Sequence, residues 1–167
     1  MKDSVAIVGY MGSGKTTLGR LLARATDLEF VDLDRAISNN AGKEIPEIFA
    51  EHGEDYFRDL EHEALRGALD GNTPCIVACG GGVVVRPENR ALLRDVRTVF
   101  LREDIDVLYR RTRGPGRPLR ATSREEFESR YLERLPLYSE AADFEVEGDG
   151  RPPSRVVEEV LGCLGVR

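Results

Sequence analysis

Short apolar runs alternate along the chain with longer stretches in which apolar residues recur every three or four positions. Val5–Val8, Glu29–Leu33, Cys75–Ala78, Thr98–Leu101 and Phe144–Val146 read as strands, with the short, bounded apolar runs expected of strands covered on both faces. Helical patterns lie between them. Gly14–Ala25 places Leu18, Leu21 and Leu22 on one face. Asp34 is expected to cap a short helix, and Pro46 sits near the start of the next, where its missing N–H costs nothing. A longer helix over about Glu54–Leu69 ends before Gly71. Pro87 opens another, Ile105–Arg111 is helical, and Ser123 with Glu126 forms a possible capping box for a helix through about Leu135. Pro153–Leu164 closes the chain as a helix, and Gly114-Pro115-Gly116-Arg117-Pro118 is a loop rich in helix breakers. Strands alternating with helices predict an α/β fold with a parallel sheet covered on both faces. Ligands of such sheets bind beyond the carboxyl ends of the strands, so functional residues are expected there.

The length of 167 residues suits one domain spanning 1–167, and a 41% hydrophobic share excludes a disordered chain. With 24 basic against 30 acidic residues the net charge is −6, which argues against a nucleic-acid partner. Of the basic residues 21 are Arg, and only Lys2, Lys15 and Lys43 are Lys. No run approaches the roughly 18 apolar residues of a membrane span. The segment before Val5 is too short for a signal-peptide core, so no membrane partner and a cytoplasmic location are expected. Cys75, Cys79 and Cys163, with His52 and His62, lack the spacing of a zinc site; reduced thiols in or near the core and histidines on helix surfaces are expected.

Gly9-Tyr10-Met11-Gly12-Ser13-Gly14-Lys15-Thr16 fits G-x-x-x-x-G-K-[ST] at every fixed position, with an apolar strand before it and an amphipathic helix after it. Glycines let successive backbone N–H groups converge on one anion, and the helix amino end adds its dipole. Lys15 supplies a point charge for the outer phosphates, and the Thr16 hydroxyl is placed to ligate Mg²⁺. Gly12, Ser13, Gly14, Lys15, Thr16 and Thr17 are therefore candidate ATP-binding residues. Asp32 and Asp34 follow at the end of the second strand. Local sequence leaves two readings open. The pair holds Mg²⁺ through water and accepts a bond or proton from a substrate hydroxyl, or Asp34 caps a helix and Asp32 is solvated.

Further motifs complete an ordered set: Phe49, Gly53, Phe57-Arg58 and Glu61, then Gly80-Gly81-Gly82, Arg117-Pro118-Leu119 and Arg134-Leu135-Pro136-Leu137-Tyr138. With the phosphate cradle and Asp32-x-Asp34 this set resembles shikimate kinase over almost the whole chain. The resemblance implies a P-loop NTPase-type three-layer sandwich with a central five-stranded parallel sheet, resembling nucleoside monophosphate kinases. It implies a substrate-binding region at about 34–62 and a lid at about 112–124. It further implies ATP-dependent phosphorylation of the shikimate 3-hydroxyl by a monomer, with Mg²⁺. Asp34 would bind shikimate hydroxyls and is the candidate catalytic base, while Arg58 and Arg134 would grip the shikimate carboxylate. Gly80, Gly81 and Gly82 would lie beside the ring, Phe49 and Phe57 would wall the pocket, and Glu61 would orient Arg58. Asp32 would sit in the outer sphere of Mg²⁺, and Arg117 would come in with the lid to the transferring phosphate. Arg111 would lie against adenine with Pro153 on its other face.

The chemistry of these residues agrees. A guanidinium binds a carboxylate with two parallel bonds, which Lys cannot do. Arg58 and Glu61 are three apart on a predicted helix and can touch, although such a pair on a surface is worth only about 0–1 kcal/mol. From Tyr109 to Arg124 there are six Arg and no Asp or Glu, a cationic strip in a net acidic chain. Of these, Arg113, Arg120 and Arg124 are expected to be surface residues. The family pattern has Leu-Leu after Arg-Pro where this chain has Leu119-Arg120. Two other readings remain: a related P-loop kinase for gluconate or a nucleoside monophosphate, and a nucleotide-binding regulatory module without catalysis.

Overall fold

The computed structural model describes residues 2–113 and 123–166, except for the side chains of Lys2 and Asp3. Its frame is one all-parallel sheet in the order β2-β3-β1-β4-β5. The strands are β1 (Lys2–Val8), β2 (Glu29–Asp32), β3 (Cys75–Ala78), β4 (Val96–Arg102) and β5 (Phe144–Glu147). The central β1 pairs with β3 through Val5↔Ile76 and Ile7↔Ala78, and with β4 through Ile7↔Val99 and Val8↔Phe100. Among the described residues the α-helices are α1 (Lys15–Thr26), α2 (Leu33–Ala41), α3 (Ile45–Asp70), α4 (Pro87–Arg94), α5 (Ile105–Arg111), α6 (Arg124–Ala141) and α7 (Pro153–Leu164).

Strand alternation divides the core into two layers. Val5, Ile7, Ile76, Val99 and Val146 face α1 and α7, meeting Leu18, Leu22, Val157 and Val160. Ala6, Val8, Val77 and Phe100 face the other way, toward Leu65 and Leu69 of α3, Leu93 of α4, Leu108 of α5, and Phe127 and Tyr138 of α6. The predicted three-layer α/β arrangement is thus observed. A small third cluster, Ile37, Ile48 and Phe57, joins α2 to α3 apart from the sheet. No described helix is long and apolar enough to cross a membrane.

Two element boundaries differ from the sequence reading. The second strand stops at Asp32, and Asp32, not Asp34, caps α2: its backbone is extended and its Oδ1 accepts the Arg35 N–H at 3.2 Å. A cap accepts from a residue two or three positions on, as Asp32 does from Arg35, and Leu33 between them is buried. Asp34 instead occupies the first turn, where a carboxylate suits the helix dipole. The two helices expected near Pro46 and from Glu54 are both present as halves of α3: the first begins at Ile45, capped by the reciprocal Glu44–Glu47 box, and a kink at Gly53 (φ 82°, ψ 180°) separates it from the second. The helix expected to end near Leu135 runs on to Ala141 through Pro136, because Tyr138 and Ala141 are anchored in the core. Ser123 does cap that helix, accepting the Glu126 N–H at 3.1 Å. Cys75 and Cys79 are buried as expected, but Cys163 is exposed on α7. His52 is exposed and His62 half-buried on α3.

Candidate active site

The glycine loop, Asp32-x-Asp34 and the glycine triplet lie at the carboxyl ends of β1, β2 and β3. β1 runs into the glycine loop, in which Gly12 (φ 85°) and Gly14 (φ 97°) adopt left-handed backbone that side-chain-bearing residues rarely reach. The loop delivers Lys15 to the first turn of α1, nearly buried, where its Nζ donates to the Tyr10 carbonyl at 2.9 Å and lies 3.4 Å from Ser13 Oγ. The Thr16 hydroxyl, one residue on, donates to Asp32 Oδ2 at 3.0 Å. Asp32 thereby divides its two oxygens, one capping α2 and one holding Thr16. This resolves the two open readings of Asp32-x-Asp34 in a way neither foresaw, because capping and proximity to the cradle fall on the same residue.

Asp34 is exposed and lies at the mouth of a cluster centred on the glycine triplet after β3. An ideal Cβ on Gly80 would sit 2.9 Å from both Asp34 Oδ1 and Glu61 Oε1, and one on Gly81 would sit 3.2 Å from the Met11 nitrogen. A Cβ on Gly82 would collide with the Arg58 guanidinium, ending 2.5 Å from its Cζ. The triplet is therefore short of side chains because two carboxylates, a guanidinium and the phosphate loop close on it. Gly82→Ala is expected to displace Arg58 and raise the KM for a ligand held by that guanidinium about 10- to 100-fold, the value of a lost charge-assisted bond. Steady-state kinetics with that ligand varied checks this, and an unchanged KM would contradict it.

Arg58 and Glu61 are not a surface pair. They are 3% and 1% exposed, with Nη1 to Oε2 at 2.6 Å, and Glu54 lies 3.3 Å from Nη2. Burial pushes the Glu61 carboxyl up, and the Arg58 charge opposes that push. Arg134, 7% exposed on α6, packs its guanidinium over the Tyr10 ring at 5.8 Å. Tyr138, one turn later, donates its hydroxyl to the Gly81 carbonyl. Arg58 Nε, Glu61 Oε1 and Arg134 Nη1 are buried without a hydrogen-bond partner among the described residues. An unsatisfied buried polar atom costs about 1–3 kcal/mol, more when charged, so this set is built to receive a polar ligand. Phe57 lies under Arg58 (5.3 Å from Cζ to ring centroid) and against Phe49, with ring centroids 4.7 Å apart. Phe57 also belongs to the α2–α3 core, so packing and walling coincide in one ring.

On the other side of the loop, a cavity of about 270 Å³ is lined by Gly12, Ser13, Gly14, Thr17, Arg111 and Pro153, all six candidates for nucleotide contact. Glu103, Gly148 and Arg151 line it too and were missed by the sequence reading. They follow β4 and β5 directly, so the carboxyl-end rule could have found them. Arg117 lies outside the described residues.

The sequence profile of the shikimate kinase family matches residues 11–165. The chain belongs to the shikimate kinase family. A shikimate kinase of Marinomonas sp. is 41% identical over 170 residues, covering 96% of this chain and 91% of that protein. One of Dictyoglomus turgidum is 37% identical over 169 residues and covers 98% of both chains. The solved shikimate kinase of Acinetobacter baumannii, in complex with shikimate, superposes with a TM-score of 0.92 at 31% identity, over 98% of this chain and 93% of that one. Membership of the shikimate kinase family makes the chain a kinase, with ATP as the family's phosphoryl donor.

Proposed function

We propose that this chain transfers the γ-phosphoryl group of ATP to the 3-hydroxyl of shikimate, giving shikimate 3-phosphate and ADP. The observation that carries the reading is the pair of buried arginines, Arg58 and Arg134, each with an unpartnered donor beside Asp34 and the phosphate loop. Two such forks suit a small acid carrying one carboxylate, and a nucleotide acceptor would call for a base-reading pocket instead. In this reading Arg58 and Arg134 hold the carboxylate, Asp34 orients the attacking hydroxyl and can accept its proton, and Gly80, Gly81 and Gly82 lie along the ring. Phe49 and Phe57 exclude water from that side, and Glu61 fixes Arg58.

ATP would place its phosphates on the backbone of Gly12, Ser13 and Gly14, with Lys15 against the outer phosphates and Thr17, Arg111 and Pro153 toward the nucleoside. Arg117 would bring charge to the transferring group. Mg²⁺ fits beside Thr16 and Asp32, because a hydroxyl and a carboxylate held together at 3.0 Å offer the few hard oxygens that this ion takes while keeping water and phosphate as its other ligands. When bound, it supplies neutralisation of charge on the phosphates. Positioning and charge complementarity provide most of the acceleration. The chain acts as one kinase domain. The proposal takes a monomer in the cytoplasm as the working unit.

Coupled assay of ADP release tests the acceptor. Release with shikimate, and little with quinate, gluconate or AMP, is expected. Release with gluconate or AMP but not shikimate would assign a related kinase, and no stimulation by any acceptor would favour a binding module. Arg58→Lys and Arg134→Lys are each expected to raise the shikimate KM about tenfold, because the second parallel bond is lost while the charge stays. An unchanged KM in either variant removes that residue from the carboxylate grip.

A further inference from the structure

Glu103 is a carboxylate in an unfavourable place. It follows β4 at the wall of the cavity assigned to ATP, is only 4% exposed, and would repel a polyanionic nucleotide if it acted alone. Its surroundings give it a partner and a fixed position. Oε2 lies 3.3 Å from Arg111 Nη1, and Oε1 accepts the Asp104 N–H at 3.2 Å. The same Arg111 Nη1 donates to the Gly12 carbonyl of the phosphate loop at 3.2 Å. Arg111, otherwise exposed, is thus tied at one nitrogen to both the loop and the end of β4, with its stem at the cavity wall. Gly148, arriving from β5, leaves the carboxylate room: an ideal Cβ there would lie 2.5 Å from Glu103 Oε2 and 3.1 Å from its Cδ, while the other near atom, the Arg102 carbonyl oxygen, is at an ordinary 3.5 Å.

We propose that Glu103 is a positioning residue of the nucleotide site: its buried carboxylate holds the Arg111 guanidinium in place at the base end of the cavity, and Gly148 is small so that it can. This rests on reading the cavity as the ATP site. A long, exposed guanidinium has many rotamers, and restricting them before the nucleotide arrives removes that cost from binding.

The sign of the effect makes the test sharp. Glu103→Gln removes a negative charge beside an anion site. If the carboxylate were a bystander, the KM for ATP would fall or stay put. If it positions Arg111, the KM for ATP is expected to rise about 3- to 10-fold, the value of one immobilised side chain. The shikimate KM and kcat should move less than about twofold on the same basis. Gly148→Ala pushes the carboxylate aside without removing it and is expected to change the ATP KM in the same direction. It serves as the second variant should Glu103→Gln fold poorly by circular dichroism. Arg111→Met separates the two levels of the argument. It is expected to raise the ATP KM by itself, and adding Glu103→Gln to it should cause no further rise, because the two residues act through one contact. An ATP KM unmoved by Arg111→Met overturns the assignment of the cavity. An ATP KM raised by Arg111→Met but not by Glu103→Gln or Gly148→Ala overturns the role of Glu103 alone. Equal shifts in both substrates' KM would also overturn it, since they mark a general loss of structure.

Discussion

Lys15→Met is expected to lower kcat by at least about 10²–10³-fold, the loss found when one preorganised charge-stabilising donor is removed from a closed site. The substitution is close to isosteric and deletes only the ammonium group. Lys15 is 9% exposed and its Nζ is already fixed by the Tyr10 carbonyl at 2.9 Å, so the loop holds the charge in place before any phosphate arrives. Such preorganisation gives a single lysine a large effect, because no reorganisation remains to be done as charge moves from the γ-phosphorus to the leaving oxygen. The variant should keep its fold, since the loop's shape comes from Gly12 and Gly14 and from helix α1. Its melting temperature should move by no more than a few degrees, on the order of a minor substitution. Single-turnover phosphoryl transfer at saturating ATP and shikimate measures the effect free of product release. A kcat within tenfold of the parent would remove Lys15 from the chemistry.

What could be read from the sequence was what is local. The strands were legible because a strand covered on both faces leaves a short, bounded apolar run. The phosphate loop was legible because eight consecutive residues carry its geometry. Asp34 was misread as a cap because Asp32 and Asp34 are equally good caps by type; the choice is made by where β2 stops beside Ala78 of β3, a contact made with a strand more than 40 residues later. The same limit applies to Arg58 and Glu61. Their spacing announces a contact, but not their burial, which lies where the distant Gly80 and Gly82 come close to them. Glu103 escaped notice because its partners, Arg111 and Gly148, come from two other elements.

Net charge behaved likewise. The total of −6 hides an acidic stretch, Asp32–Asp70 at net −7, and a basic one, Arg86–Arg134 at net +4. The fold brings the two together. Arg58 of the acidic stretch and Arg134 of the basic one are both buried beside the Gly80–Gly82 turn, and their charges both act on Glu61. A chain that is acidic in sum thus gathers buried cations beside the glycine triplet; in the proposed reading they would favour a small acid without making the whole surface attractive to nucleic acid.

The second large effect belongs to Glu61. Glu61→Ala leaves Arg58 buried with its principal partner gone, and breaking a buried pair in this way costs about 3–5 kcal/mol. In a protein of this size that lowers Tm by roughly 10 °C. The figure is large because the alternatives open to Arg58 are poor. Glu54 is 3.3 Å from Nη2 but mostly in solvent, where its charge is screened. The same substitution should raise the shikimate KM more than it changes kcat, since a guanidinium without its buried brace no longer meets the substrate carboxylate at a fixed angle. Glu61→Gln, which keeps an acceptor oxygen within reach of Nη1, should recover part of both losses. Thermal denaturation of the two variants with and without shikimate, together with their KM values, reads these terms separately. A Tm loss under about 2 °C for Glu61→Ala, equivalent to less than about 1 kcal/mol, would mean that Arg58 finds water or another partner on its own and that the pair is not what holds it.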